Sequence, residues 1–492
     1  MITKEKNKRY IYTTAVLFIL SSATLMSCRK NLLETVPQTT ISDVNAYTTP
    51  EKILGGVYDL YKKLQNAQYY GGKYIMYNEL RGEEFGQNDG NANVGALIWG
   101  QNPLSTAGQV QDLWNAAYAS INSANLLIKN VSTTNVVASP LREQYVAEAK
   151  FVRALNYLAL VQTFAKPFNA DNGASLGVPL RLNGETSTGN NDLVRSTVAQ
   201  VYTQIIKDLD DAEANLPAAY SSNILNASRA HKATAIALKT RVYLVKGDYA
   251  KVVSEAAKLV PAVAPYQYTS GAVTHKLEAN VASVFTGTYV GGETLFSILF
   301  NTDDSPDVQS ALGAYYFVSV VSPVAPAGIL SDPALSGAAS TDARKGLLGT
   351  KSGQKVLLKF PKAGAPYTDY IAVIRYAEVL LNYAEAAAEK DDLVTALSLL
   401  NAVRKRSDPA YVFAAADVTL KPNLIATILK ERRIELLGEG LRTPDLQRRL
   451  QPLPSKTGAV GTAPAVPITA SNYIWPIPSD EISTNKLAVP NP

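Results

Sequence analysis

One cysteine, two histidines and three tryptophans in 492 residues leave little reactive side-chain chemistry. A single Cys excludes a disulfide framework, and with only His231 and His275 a Cys/His-rich metal site is excluded as well. The same shortage counts against a Cys–His or Ser–His nucleophile pair. The two histidines are far apart in the chain, and a lone His is far more often a satisfied side chain than a ligand. Long apolar runs are missing too: none reaches the ~18 residues needed to span a bilayer. No cofactor motif is present. GLLGTKS at Gly346–Ser352 lacks the Gly-Lys-Ser/Thr spacing of a phosphate loop and reads as a turn.

The one cysteine stands where it has a use. Lys4, Lys6, Lys8 and Arg9 precede a short apolar stretch, Ile11 to Ala23, and then Leu25-Met26-Ser27-Cys28. This is the pattern of a secretory signal ending in a lipobox, with Leu at −3 and a small residue at −1. Residues 1–27 are therefore expected to be removed, leaving Cys28 as a lipid-bearing N-terminus and 28–45 as a polar tether. The removed segment carries four basic residues and one acidic, so the formal charge drops from +5 to +2. So small a charge gives no footprint for nucleic acid.

What fills the rest is helix. SPLREQYVAEAKFVRALNYLALVQTFAKPF, Ser139 to Phe168, is apolar on nearly every side from Val146 on, which predicts a helix buried within a stack. Ser139 is placed to cap it, Pro140 suits its first turn and Pro167 ends it. Arg153 and Asn156 fall three apart and are expected to share a polar stripe. Two stretches, 231–260 around Gly247-Asp248 and 376–406 around Asp391-Asp392, carry the small-residue and turn spacing of tetratricopeptide hairpins. Helical core is thus expected over 46–270 and 366–492. Between them the period vanishes across 271–365, a Gly-, Pro-, Ser- and Tyr-rich segment expected to contribute a ligand face with the Tyr/Gly/Asn-rich stretch 69–108. The charged run Glu431, Arg432, Arg433, Glu435, Glu439 and Arg442 reads as an ion-pair network of the scaffold rather than a catalytic carboxylate pair.

Tyrosine is the outlier, 27 residues against 11 Phe and 3 Trp, and its flat face with a hydrogen-bonding tip suits sugar rings and peptides. Trp99, followed by Gly100, Gln101 and Asn102, is the expected stacking plate. Arg81 and Asn102 are the expected polar partners, with Tyr289, Tyr315 and Tyr316 opposite. Trp114 and Trp475 read as core.

In order along the chain, Cys28, EAKFVRALNYLALVQTFAKPF, LKTRVYLVKGDYAKV, VIRYAEVLLNYAEAAAE with ALSLLNAVRKRS, ERRIELLGEGLRTPDLQR and IWPIPSDEISTN resemble the SusD/RagB family of outer-membrane lipoproteins. The resemblance implies a mainly α, tetratricopeptide-like scaffold with a long irregular, loop-rich ligand face. It also implies a surface-exposed lipid anchor in the outer membrane, and a lid role on a SusC-type TonB-dependent transporter that receives captured oligosaccharide. Capture of peptides by a relative of the same family, a tetratricopeptide scaffold lipoprotein and a secreted hydrolase are the competing readings. The long Tyr-rich segment argues against a bare scaffold. The lack of a nucleophile motif and of a credible metal set argues against an enzyme.

Overall fold

The computed structural model describes residues 46–187, 189, 192–317, 321–323 and 328–492. The signal segment, Cys28 and the 28–45 tether lie outside the described residues. The chain from Thr49 to Pro492 forms one unit. Helix α1 (Pro50–Leu64) starts on Thr49, whose hydroxyl accepts the Lys52 N–H, with Pro50 in the first turn. After α2 (Lys73–Leu80) come α3 (Gly108–Val131) and α4 (Ser139–Phe164), packed side by side.

Helix α4 is the buried centre. From Tyr145 to Phe164 nearly every residue is enclosed, with α3 on one flank and α5 (Val198–Asn215) on the other. Its polar stripe ties the three together. Arg153 grips Asp208 of α5 through two bonds of 2.8 and 2.7 Å and reaches Asn125 of α3 at 2.8 Å. One turn on, the Asn156 amide donates to Ser120 of α3. Ser139 does not cap the helix. Ala138 occupies that position without a side-chain bond, and the Ser139 hydroxyl, already inside the first turn, donates to Glu143.

Two hairpins follow. Helix α6 (Lys232–Val245) turns at Gly247, with φ of +71°, into α7 (Tyr249–Ala256), which Asp248 caps at the Lys251 N–H. Helix α8 (Tyr376–Glu389) turns at Asp391 into α9 (Leu393–Ser407), capped by Asp392. Small residues let the pairs approach: Ala386 of α8 packs with Tyr243, Leu244 and Val252 of the first hairpin. Helices α10 (Lys421–Glu435), α11 (Arg442–Arg448) and α12 (Ser479–Thr484) complete the set used below. The Trp475 strap crosses back onto α4, its N–H donating to the Thr163 carbonyl and its ring meeting Phe164 edge-on.

Strands are few and short, in five two-stranded antiparallel ladders among the described residues. Strand β1 (Phe85–Gln87) pairs with β5 (Val321–Pro323). The hairpins are β2 (Gln267–Ser270) with β3 (Val273–Lys276), and β6 (Leu348–Lys351) with β7 (Gln354–Leu357). The sequence GLLGTKS is thus not a turn: it enters β6, and the turn follows at Ser352-Gly353. Strand β4 (Thr294–Ile298) joins β8 (Ile371–Arg375), and β9 (Lys456–Gly458) pairs with β10 (Gly461–Ala463).

A buried charge network fastens the irregular segment to the late helices. Glu435 accepts from Arg344 at 3.0 Å and Arg375 at 3.1 Å, and also from Arg406. Glu439 accepts from Arg375 at 2.7 Å and from Lys359 at 2.6 Å. Burial alone would raise the Glu435 carboxyl, but Arg406, Arg375 and Arg344 hold it well below the carboxylate range. These carboxylates face cations inside the protein rather than an open cleft, so they lock the fold.

Candidate functional site

Five of the six expected ligand residues lie inside the protein. Trp99 ends a short helical turn at Ala96–Trp99 and is 3% exposed, its indole N–H donating to the Phe85 carbonyl at 2.8 Å. Gly458 of the β9 hairpin backs against its ring, and Lys456 stands over it at 5.6 Å. Arg81 is 1% exposed. It donates to Gln101 at 3.2 Å, to the Tyr473 carbonyl at 3.1 Å and to the Asn472 carbonyl. Burial among neutral acceptors depresses its guanidinium to about 9.

Tyr315 and Tyr316 are fully buried, and Tyr316 packs between Phe85 and Phe360. Tyr289 donates to Asp369 at 2.9 Å and stacks on Tyr370. Asn102 alone is exposed. The expectation of a stacking face built on Trp99 is therefore corrected. Strand β1, paired with β5 and covered by the β9–β10 hairpin, draws Trp99 and Tyr316 around Phe85 as core. The local Gly/Asn-rich sequence carries no sign of that cover, because it comes from residues more than 200 positions away.

The histidines are not alone either. Their Nε2 atoms meet at 3.0 Å, His231 at the start of α6 and His275 on β3, both enclosed. Their separation of 44 positions in the chain hid the pairing. Among the described residues no group of three or more His, Cys, Asp or Glu is placed to hold a metal ion, and no helix is long and apolar enough to cross a membrane.

An open cleft of about 430 Å³ lies where α3, the 179–187 loop and α12 meet. That is within the ~300–1,000 Å³ typical of small-ligand sites. Tyr118, half-buried on α3, gives the cleft its aromatic wall, backed by the enclosed Trp114 four residues earlier on the same face, with centroids 4.8 Å apart. Their polar tips are taken: the Trp114 indole donates to Glu481 at 3.3 Å and the Tyr118 hydroxyl to the Pro179 carbonyl at 2.8 Å. Arg181 lies 6.0 Å above the Tyr118 ring. It bridges two carboxylates, Glu185 at 3.1 Å and Glu481 at 3.5 Å. Burial lowers the Arg181 pKa, but Glu481 and then Glu185 more than compensate, and it stands above its usual range.

Trp114 is core, as its helical spacing implies, at 2% exposure; sequence reasoning missed the cleft in front of it, although Tyr118 at helical spacing was visible. What the sequence hid is that Arg181 and Glu481, 300 residues apart, close on that spacing. A second open groove, of about 360 Å³, runs between Tyr58, Tyr61 and Ile224 beside Arg229, and its lining is mainly apolar.

The fold is thus a helical scaffold carrying an aromatic, hydrogen-bonding cleft. Residues 33–244 match the SusD-like_3 family, described as starch-binding and associating with the outer membrane, and residues 359–492 match SusD_RagB, the SusD family. SusD-like protein P2 of Formosa agariphila is 26% identical over 97% of this chain and 98% of its own length. A SusD superfamily protein from Bacteroides fragilis superposes with a TM-score of 0.79 at 30% identity, covering 90% of this chain and 99% of that one. A laminarin-binding SusD-like protein shares the fold, with a TM-score of 0.67 at 21% identity over 91% of this chain and all of its own. The chain belongs to the SusD/RagB family, whose members are outer-membrane-associated carbohydrate-binding proteins and not enzymes.

Proposed function

We propose that this chain is a surface-exposed lipoprotein, anchored through Cys28, that captures oligosaccharide and hands it to a SusC-type TonB-dependent transporter. The observation that carries the reading is the match to SusD superfamily proteins along nearly the whole chain. The cleft on α3 supports it, since an aromatic wall beside carboxylate and guanidinium groups is the chemistry a sugar ring needs. The laminarin-binding relative makes a neutral β-glucan the first probe to try.

Calorimetry of the purified chain against oligosaccharide and peptide panels tests the ligand: glycans are expected to bind, and capture of peptides alone would overturn that half. Cys28→Ala tests the anchor, because the chain has no other thiol to take a lipid. Palmitate labelling and membrane retention should both be lost. Labelling that persists in the variant defeats the lipobox reading.

A further inference from the structure

We propose that the cleft on α3 admits a neutral sugar unit and discriminates against uronate and sulfate-bearing sugars. This rests on the oligosaccharide reading above and adds a charge class to it.

The inference follows from which hydrogen-bonding groups the fold has already used. Asn122 donates to the Glu185 carbonyl at 2.9 Å and accepts the Glu185 N–H at 2.8 Å. Asn125 donates to the Arg181 carbonyl at 2.9 Å and accepts from Arg153 at 2.8 Å. Asn485 clamps Leu193 in the same double fashion, at 2.8 and 2.9 Å. Three amides that look like sugar ligands are thus pins, tying Arg181 and Glu185 to α3 and Leu193 to the residue after α12. The Tyr118 hydroxyl is engaged as well, so its half-buried ring offers a face and no donor, and Trp114 is enclosed behind it.

What remains is mostly acceptor capacity. An ionised carboxylate has about four lone-pair sites. Glu185 receives one bond from Arg181, while Glu481 receives bonds from Arg181, Trp114 and Asn485. Sugar hydroxyls supply the donors those oxygens lack while the ring lies on the aromatic wall. An anionic ligand meets the opposite situation. The lining holds two carboxylates against one guanidinium, and that guanidinium bridges both. A uronate or sulfate must break one of these ion pairs to reach it and then faces the released carboxylate, a like-charge contact that opposes binding. Two buried cations nearby have their donors spent: Arg195 on the carbonyls of Gly177, Leu176 and Val489 and on Asn491, and Arg153 on Asp208 and Asn125.

The test is calorimetry on the detergent-solubilised full chain with laminarihexaose, an oligouronate and a sulfated oligosaccharide of equal length. The neutral hexaose should bind at least about ten-fold tighter than either anion. Glu185→Gln should narrow that gap and Glu185→Lys close or reverse it. Neither should move the melting temperature much, since the Glu185 side chain is about one-third exposed and its backbone bonds to Asn122 remain. Equal or tighter binding of the anions by the unaltered chain overturns the inference. So does tighter binding of a lysine-rich peptide than of the hexaose. An unchanged preference in both Glu185 variants removes the cleft from recognition while leaving oligosaccharide capture standing. Failure to bind any glycan would defeat both.

Discussion

Arg81, bonded to Gln101 two residues past Trp99, and Arg181, which shares Glu481 with Trp114, stand on opposite sides of the line between fold and function. Arg81 is sealed and directs its donors to backbone carbonyls and one amide, so nothing offsets the loss of water and its pKa falls to about 9. Arg181 faces an open cleft and bridges two carboxylates, so its pKa rises instead. A cation surrounded by neutral carbonyls organises the chain that supplies them: Arg81 pins the 472–473 stretch to the end of α2. A cation between carboxylates at an opening sets the electrostatics of whatever enters. Residue type is the same at both places. The destination of the donors separates them.

The largest effect expected from this comparison is on stability. Trp99→Ala removes a buried indole and its bond to the Phe85 carbonyl, and should cost roughly 3–5 kcal/mol, as large-to-small core substitutions do. A denaturant titration reads the loss, and the folded fraction should keep its affinity for laminarihexaose. If Trp99→Ala instead melts normally and loses the glycan, the two arginine regions exchange roles.

Much of the scaffold was legible because helices report themselves through local period. The all-round apolar pattern of 146–164 requires a buried helix, and α4 is that helix; its Arg153 and Asn156 stripe meets α5 and α3 as three-residue spacing demands. The charged run on α10 was likewise readable as scaffold, since so dense an alternation of signs pairs with itself and its neighbours. The end of a helix is less legible than its middle. Ser139 satisfies the composition of a cap, but Ala138 takes that position, a one-residue shift that composition does not fix. The site was least legible. Trp99 sits in a loop-like sequence and is buried by segments beyond residue 300, as fully as Trp114 is buried on its helix. Exposure is decided by long-range packing, which no local window contains.

A smaller effect, and a sharper one, is expected at Tyr118. Removing its ring by Tyr118→Ala should weaken binding of laminarihexaose about ten-fold or more, taking ~1–3 kcal/mol per stacking aromatic by analogy with base stacking. Tyr118→Phe keeps the face and loses only the hydroxyl bond to Pro179, so affinity should hold while stability drops by about 1 kcal/mol. Calorimetry beside thermal melts separates the two. Equal affinity loss in both variants would mean that the hydroxyl, not the face, touches sugar.

The smallest effect at neutral pH belongs to the histidine pair, and it extends the comparison to groups that titrate. His231 and His275 meet at 3.0 Å, with Thr234 2.7 Å from His231 Nδ1 and the Gly292 carbonyl 3.3 Å from His275 Nδ1. Burial, and then the neighbouring His275, lowers His231 from 6.5 to about 3, and burial lowers His275 to about 4. Below pH 6.5 the unfolded chain therefore binds protons that the folded chain does not, and stability should fall as the pH drops from about 6.5 toward 4. His275→Gln removes one of these groups while an amide can still bond to His231. It should leave stability at pH 7 within about 1 kcal/mol and make the decline on acidification shallower. Urea midpoints measured from pH 7.5 to 4.5 on both proteins check this. An identical decline in the two, or a gain in stability on acidification, would mean that the pair already carries a proton when folded. Affinity for laminarihexaose at pH 7 should be the same in both, because neither histidine lines the cleft on α3.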